Sequence, residues 1–264
     1  MATDIKEQGK QTPHEAQNKQ KNNGTESKKN LTSSKKNMPL ADDKKLAQLR
    51  AKLRRQEARR KLRELVIARE IMIGENGALP KGLHEVVAFD LECAGYVEDD
   101  IIEIGAVRIN LDDDSAPLAY FHELVHPRTR LNKYVTQMTG ITMQDLAGKD
   151  TIDKVMPRFI MFVGNAPVLG HSIGDNDIVR INLAIRRARI KGIKNFLPRY
   201  IDTEKIAHRI FDGKEPEIKK FGLTALLAHY GIEIEDSHRA TDDAISAYRL
   251  YKKLVEEIKS QAEK

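Results

Sequence analysis

Two acidic side chains interrupt an apolar segment near residue 90. Asp90 and Glu92 lie within residues 86–92, whose β-branched and aromatic side chains predict a strand. Side chains at positions i and i+2 of a strand point to the same face, so the two carboxylates would lie side by side. Neighbouring carboxylates repel each other, and a divalent cation such as Mg²⁺ or Mn²⁺ relieves that repulsion. The pattern indicates a metal site, although a strand end that simply reaches water would also explain it.

Two further segments place acidic residues where helices are predicted to begin. Asp175 and Asp177 follow the short apolar segment 167–170 and precede a helix with apolar residues at helical spacing. His238 comes five residues before Asp243, at the start of the last predicted helix. Capping would account for the acids, because the helix dipole stabilises negative charge at an N-terminus, but capping does not account for the histidine.

In their order along the chain, these segments resemble the motifs of the DEDDh 3′–5′ exonuclease superfamily. They are most similar to the branch that contains the DNA polymerase III epsilon subunit and RNase T. The similarity covers about residues 84–258 and includes segments 102–107, 139–142 and 200–203. It implies a ribonuclease H-like exonuclease fold, two divalent cations (Mg²⁺ or Mn²⁺), and hydrolysis of terminal phosphodiesters of single-stranded DNA to 5′-mononucleotides.

The resemblance also implies roles for single residues. The catalytic residues would be four metal ligands and a general base: Asp90, Glu92, Asp177, Asp243 and the base His238. Asp175 remains a rival for the middle position, because the spacing from His171 is one residue longer than usual in the family. The substrate-binding residues would be Cys93, Ala94, Gly95, Ile141 and His171. An imidazole must be unprotonated to accept a proton, so this assignment predicts loss of activity at acidic pH.

The elements that would position these residues alternate in type along the second two thirds of the chain. Strands are predicted at 86–92, 101–109, 119–125, 167–170 and 200–203. Helices are predicted near 153–163, from 178 to 188, near 223–230 and from 244 to 258, and Asp202 is predicted to cap a helix that follows it. Three strands in succession, followed by strands that alternate with helices, predict an α/β fold with a mixed central β-sheet flanked by helices.

The N-terminal third of the chain has a different composition. Residues 1–80 contain 19 Lys and Arg and 10 Asp and Glu, a net charge of +9, whereas the whole chain carries +6. Residues 1–38 are predicted to be a disordered basic tail, residues 39–82 a basic amphipathic helix and linker, and residues 83–264 the exonuclease domain. The helix has an apolar stripe formed by Leu46, Leu49, Leu53, Ala58, Leu62 and Leu65. It could bind nucleic acid, contact a polymerase, pair with a copy of itself or pack on the body.

Composition narrows the class of protein further. No run of eighteen apolar residues occurs, which predicts that no segment spans a membrane, and the start lacks a secretory signal, which predicts the cytoplasm. Cys93 is the single cysteine, so an internal disulfide framework is excluded. The predicted partner is the 3′ end of a single-stranded nucleic acid. Two alternatives remain: an exoribonuclease similar to RNase T or oligoribonuclease, and a non-catalytic nucleic-acid-binding protein with the same fold.

Overall fold

The computed structural model describes residues 41–95, 100–211, 220–233 and 238–263, so the predicted tail at 1–38 lies outside the described residues. The described strands are β1 (Glu85–Cys93), β2 (Ile101–Asn110), β3 (Ala119–Leu124), β4 (Val168–Gly170) and β5 (Tyr200–Asp202). The described helices are α1 (Ala41–Ile67), α2 (Lys133–Thr139), α3 (Ile152–Val163), α4 (Asp177–Ala188), α5 (Thr203–Phe211), α6 (Leu223–His229) and α7 (Ala240–Ala262). The chain divides into two compact units, Met1–Ala47 and Gln48–Lys264. The described part of the first is the start of α1, and the second contains everything considered below.

The strands form one mixed sheet in the order β3-β2-β1-β4-β5. β1 is antiparallel to β2 and β2 to β3, whereas β4 is parallel to β1 and β5 is parallel to β4. The predicted mixed sheet flanked by helices is therefore confirmed. Within the described residues, no helix is both long and apolar enough to cross a membrane.

Alternate side chains of β1 are buried on opposite faces of the sheet. Val87, Phe89 and Leu91 belong to a core that includes residues of α3 and α4. Val86 and Ala88 belong to a second core, which includes residues of α5, α6 and α7. Because side chains alternate along a strand, Asp90 and Glu92 continue the row of Val86 and Ala88. The two acids therefore leave the sheet on the face covered by α7.

Gly105 lets α7 approach this face closely. It lies in β2 directly opposite Asp90, and a Cβ atom at this position would collide with the backbone of Ala240 and Thr241. The start of α7 consequently lies against β2 beside the two acids of β1. The absence of a side chain at residue 105 thus sets where the first turn of α7 is held.

Helix α2 is not predicted from the sequence, because its seven residues are too few to show a repeated helical spacing of apolar side chains. The capping residues at its two ends set its limits. The Asn132 side chain accepts a hydrogen bond from the Tyr134 backbone N–H at 3.0 Å. Gly140 ends the helix with φ of 70°, in the left-handed region that glycine adopts without strain.

The end of α1 and the segment that follows it are part of the folded body. Leu62 and Val66 are buried in the first core, and Ile71 is buried in the second. The backbone N–H of Ile71 donates to Tyr200 O at 2.7 Å, and Tyr200 N donates to Arg69 O at 3.1 Å. The packed core therefore includes residues that precede the predicted domain start at residue 83.

The buried face of α1 differs from the predicted stripe. Leu49 and Leu53 each remain 54% exposed and Leu65 remains 52% exposed, whereas Leu62 is buried with Val66. Most of the stripe is thus a solvent-facing surface.

Candidate active site

Three elements bring the predicted acids together: the end of β1, the start of α4 and the start of α7. Desolvation raises the pKa of Asp90 well above its usual range, and the charges of Asp177, Glu92 and Asp243 raise it further. Each of these four carboxylates was predicted from the sequence as a metal ligand. The structure therefore places the other three within electrostatic reach of Asp90.

The other acids of the cluster are shifted in the same direction. Desolvation, followed by the charge of Asp243, raises the pKa of Glu92 to about 8. Desolvation raises the pKa of Asp177 to about 7, although Arg180 opposes the shift with its Nη1 3.4 Å from Asp177 Oδ1. Desolvation also raises the pKa of Asp243, against the opposing charge of His238. Burial thus opposes the charged form of each of these acids.

The donor set fits a divalent cation. Glu92, His238 and Asp243 each offer one ligand atom, and these three atoms lie within 4.8 Å of one another. Carboxylate oxygens are the ligands preferred by Mg²⁺ and Mn²⁺, and a bound cation would relieve the repulsion of Asp90 by Asp177, Glu92 and Asp243. The site is therefore chemically suited to the predicted metal.

Asp177 occupies the middle position more suitably than Asp175. Asp177 is the first residue of α4, is 3% exposed, and acts directly on the pKa of Asp90. Asp175 is half-buried in the turn before α4. The apolar residues Ile178 and Ile181 pack in the first core and so fix the helix that begins with Asp177.

Asp202 holds the turn that precedes Asp177. Its carboxylate accepts hydrogen bonds from the backbone N–H groups of Ser172 at 2.9 Å and Gly174 at 3.2 Å. It also accepts a hydrogen bond from Glu204 N at 3.1 Å. Asp202 therefore caps the start of α5, as the sequence predicts. One carboxylate thus ties the β4–α4 turn to the start of α5.

His238 has an unusual backbone conformation. Its φ of 68° lies in the left-handed region, which a residue with a side chain rarely adopts. Its backbone N–H donates to Asp243 Oδ2 at 3.1 Å. Non-glycine residues with positive φ concentrate at functional sites, where the surrounding structure holds them in place. The turn therefore fixes the positions of the predicted base and the last predicted ligand relative to each other.

Sequence reasoning assigned no role to Glu103, although this residue holds the start of α7. Glu103 Oε1 accepts hydrogen bonds from Arg239 Nη2 at 2.8 Å and Nε at 3.1 Å, and Oε2 accepts from Ala240 N at 3.1 Å. His122 Nε2 lies 2.7 Å from Oε1. Burial would raise the pKa of Glu103, but hydrogen bonds from His122, Arg239 and Ala240 outweigh it and lower the pKa to about 2. The sequence feature that could have identified Glu103 is its position as an acid inside the apolar strand predicted at 101–109.

We expect Glu103→Gln to lower the free energy of unfolding by about 2–3 kcal/mol, because it leaves the Arg239 guanidinium beside a neutral group. Since the folded-state pKa of Glu103 lies below its ordinary value of 4.5, this stabilisation is fully present above about pH 4.5 and is lost as the pH falls toward about 2. Urea unfolding at pH 7 and at pH 3 measures both effects.

Glu123→Gln is the matched control for this prediction. Glu123 pairs with Arg158 at 2.8 Å, but both side chains are partly exposed, so we expect a loss of at most about 1 kcal/mol. Equal stability of Glu103→Gln and the wild type at pH 7 would show that Glu103 does not hold α7.

Four of the predicted substrate-binding residues lie around the turn after β1. Burial raises the pKa of the Cys93 thiol to about 12, which disfavours the thiolate at neutral pH. The Ala94 carbonyl accepts from Asn132 N at 2.9 Å, and Ile141 is buried with Ala94 in a third, smaller core. Gly95 has φ of 88° and lies against α2. This turn is thus built jointly by β1 and α2.

A cavity of about 560 Å³ lies beside Ile141. It is lined by Leu124, Gln137, Met138, Thr139, Gly140, Ile141, Asp145 and Arg239. Arg239, which lines the cavity, follows His238 directly in sequence. The fifth predicted substrate-binding residue, His171, lies at the end of β4, where its Nδ1 is 2.9 Å from Thr203 Oγ1.

Comparisons with known proteins agree with this geometry. A family model described as an RNase T exonuclease matches residues 87–251. The DNA polymerase III epsilon subunit of Aquifex aeolicus is 32% identical over 174 residues, which cover 65% of this chain and 81% of that protein. A PolC-type DNA polymerase III of Clostridium perfringens is 34% identical over 181 residues, which cover 66% of this chain but 12% of the polymerase. The chain thus corresponds to a small part of the PolC-type relative.

Solved structures with the same fold include two nucleases. The nuclease domain of 3′hExo, described as a DEDDh family member bound to rAMP, has a TM-score of 0.54 and 20% identity, with 68% of this chain and 96% of that chain covered. E. coli exonuclease I in complex with a dT13 oligonucleotide has a TM-score of 0.51 and 18% identity, with 67% of this chain and 42% of that chain covered. At these identities, the likeness shows the fold.

Proposed function

Because this chain belongs to the RNase T exonuclease family, we propose that it is a metal-dependent 3′–5′ exonuclease that hydrolyses the terminal phosphodiester of single-stranded DNA and releases 5′-mononucleotides. The observation that carries the proposal is the cluster of Asp90, Glu92, Asp177 and Asp243 beside His238. Four acids with raised pKa values around one point are costly to the fold unless cations bind there. The predicted cytoplasmic location stays a prediction.

In this proposal, Asp90, Glu92, Asp177 and Asp243 hold two divalent cations, Mg²⁺ or Mn²⁺. Such ions, when bound, lower the pKa of a water molecule and stabilise the charge that develops on the leaving oxygen. His238 accepts the proton of the attacking water, for which its imidazole must be neutral. Asp243 supports this role, because its carboxylate accepts the backbone N–H of His238 and so fixes the turn.

The terminal nucleotide would occupy the cavity beside Ile141 and the turn formed by Cys93, Ala94 and Gly95. Two observations support this place: the cavity adjoins Arg239, next to His238, and the turn directly follows Glu92. His171 stays a predicted contact, with its Nδ1 already directed toward Thr203.

RNA is the second candidate substrate, because the 3′hExo nuclease domain was solved with rAMP. DNA and RNA cleavage share the same chemistry at the phosphorus, and discrimination depends on contacts to the 2′-hydroxyl. A non-catalytic binding protein is disfavoured, because all five predicted catalytic residues are present and converge. One relative is named as a subunit of DNA polymerase III and another as a PolC-type DNA polymerase III, so a polymerase is a proposed partner and the exposed leucine stripe of α1 the proposed contact.

We expect a 5′-end-labelled single-stranded DNA to be shortened stepwise from its 3′ end in the presence of Mg²⁺ or Mn²⁺. EDTA should abolish the reaction and added metal should restore it, because the acid cluster depends on cations. An RNA of equal sequence tests the second candidate, and a circular single-stranded DNA is the control that offers no end. Full activity in EDTA, or cleavage of the circle, would contradict the proposed mechanism.

A further inference from the structure

Two segments of this chain are strongly basic, and the proposed catalysis uses neither. Residues 50–63 of α1 contain eight Lys and Arg and one Glu, and residues 186–199 contain six Lys and Arg and no acidic residue. Of these fourteen basic side chains, all except the partly buried Arg59 are exposed. By contrast, residues 81–264 as a whole carry a net charge of −3.

The fold brings these two segments to the same region of the body. Leu62 and Val66 of α1 lie in the same buried core as Ile190 and Phe196. A direct contact also ties the end of α1 to the second segment, because Arg69 Nε, two residues beyond α1, donates to the Leu197 carbonyl at 3.1 Å. Segments more than 120 residues apart in sequence are thus neighbours in the folded protein.

The part of α1 that extends from this contact has a basic inner face. Arg59 and Arg55 precede the buried Val66 by 7 and 11 residues, which are close to two and three full turns at about 3.6 residues per turn. Both arginines therefore lie on the face of α1 that packs on the body at Val66. Along this face of α1, the side chains are therefore apolar at Val66 and Leu62 and basic at Arg59 and Arg55.

The distance between the second segment, 186–199, and the acid cluster follows from α4. This helix begins at Asp177, in the cluster, and ends at Ala188, within the second segment. Its twelve residues span about 18 Å at 1.5 Å per residue. That length corresponds to roughly five nucleotides at the 3.4 Å rise of a stacked strand.

We propose that residues 50–63 and 186–199 form one surface that binds the phosphodiester backbone of a nucleic acid, and that its part at the end of α4 lies about 18 Å from the acid cluster. The inference rests on the proposed nuclease function, because it concerns the strand whose 3′ end would enter the cluster. Lys and Arg contacts to phosphates release counterions, so they add affinity without sequence preference and weaken as salt rises. The surface holds the polyanion at a distance from carboxylates that would otherwise repel it.

The test is binding by the full chain, measured in EDTA so that no metal-dependent cleavage occurs. Fluorescence anisotropy of labelled single-stranded DNA of 5 and 20 nucleotides is followed from 50 to 200 mM salt. One variant neutralises the second segment through Lys191→Gln, Lys194→Gln and Arg199→Gln. Another neutralises α1 through Arg50→Gln, Arg54→Gln and Arg55→Gln. The control removes the same charge from other exposed positions through Lys81→Gln, Lys149→Gln and Lys253→Gln.

We expect each test variant to lower the slope of log Kd against log salt by about 2 for the 20-mer, since a single strand contributes about 0.7 per neutralised phosphate. The wild type should bind the 20-mer more tightly than the 5-mer, and this gain should disappear when all six substitutions are combined. Unfolding temperatures near that of the wild type establish that the variants fold. The control variant should keep the slope and the length dependence.

An unchanged slope in both test variants, or an equal loss in the control, would overturn the proposal and leave the basic segments for an acidic protein partner. Failure of the proposed function gives a different result. If the chain cleaves no nucleic acid but its variants show these slope changes, the binding surface is supported and the proposed nuclease function is contradicted. If the chain degrades DNA but the test variants leave the slope of log Kd against log salt unaltered, the nuclease function is supported and the binding surface is contradicted.

Discussion

Asp177→Asn should lower the rate of 3′-end hydrolysis about a thousandfold or more, whereas Asp175→Asn should leave it within a few-fold of the wild type. A metal ion supplies several kcal/mol of transition-state stabilisation in phosphodiester hydrolysis, and each 1.36 kcal/mol is a factor of ten in rate. Asp177 is buried at the start of α4 and acts on the pKa of Asp90, so its carboxylate is part of the cluster. Single-turnover cleavage of a short labelled DNA at saturating Mg²⁺ measures the effect.

Asp177→Asn should also keep its fold, which makes the loss of rate interpretable. The pKa of Asp177 is raised to about 7, so the folded protein without metal disfavours its charged form. An amide of the same shape removes that unfavourable charge, and we expect no fall in unfolding temperature in EDTA. If Asp175→Asn is the inactive variant and Asp177→Asn retains activity, the middle ligand is two residues earlier than proposed.

Without metal, the protein should become less stable as the pH rises from about 5 to about 8. The pKa of Glu92 is raised from 4.5 to about 8 and that of Asp177 from 3.8 to about 7. Groups with raised folded-state pKa values stabilise the fold fully at low pH, and this contribution is lost as the pH rises through those values. Thermal unfolding in EDTA at pH 5.5 and pH 8.5 measures the decline.

Mn²⁺ should reverse the decline, because metal and protons compete for the same carboxylates. At a free concentration a hundred times its Kd, a ligand adds about 2.7 kcal/mol, which raises the unfolding temperature by several degrees. The increase in unfolding temperature with Mn²⁺ should be larger at pH 8.5 than at pH 5.5. Glu92→Gln should reduce this increase and also the loss of stability with rising pH in EDTA. The same increase at both pH values would indicate that the cluster does not bind the metal.

The acid pair of β1 could be predicted from the sequence because a strand has a period of two residues. Apolar neighbours at Val87, Phe89 and Leu91 made Asp90 and Glu92 conspicuous, and the sheet around them followed from similar alternation. The position of α7 against this pair could not be predicted. It depends on contacts of Gly105 and Glu103 with residues far along the chain, about which local periodicity carries no information.

The N-terminal helix shows the same limit of sequence reasoning. A leucine stripe indicates a helix with an apolar face, but not which part of that helix reaches the core. The structure buries Leu62 and Val66 and leaves Leu49 and Leu53 half exposed. What fixes the helix is the backbone pairing of Ile71 with Tyr200, between residues 129 positions apart in sequence.

That pairing has a consequence for the edge of the sheet. β5 is the last strand in the order, and Arg69 and Ile71 use hydrogen-bonding groups of Tyr200 that would otherwise be unpaired. An uncovered edge strand is a template on which a strand of another molecule can add, and such addition is a common route to aggregation. By pairing with Tyr200, residues 69–71 therefore hinder the addition of a strand from another molecule at the start of β5.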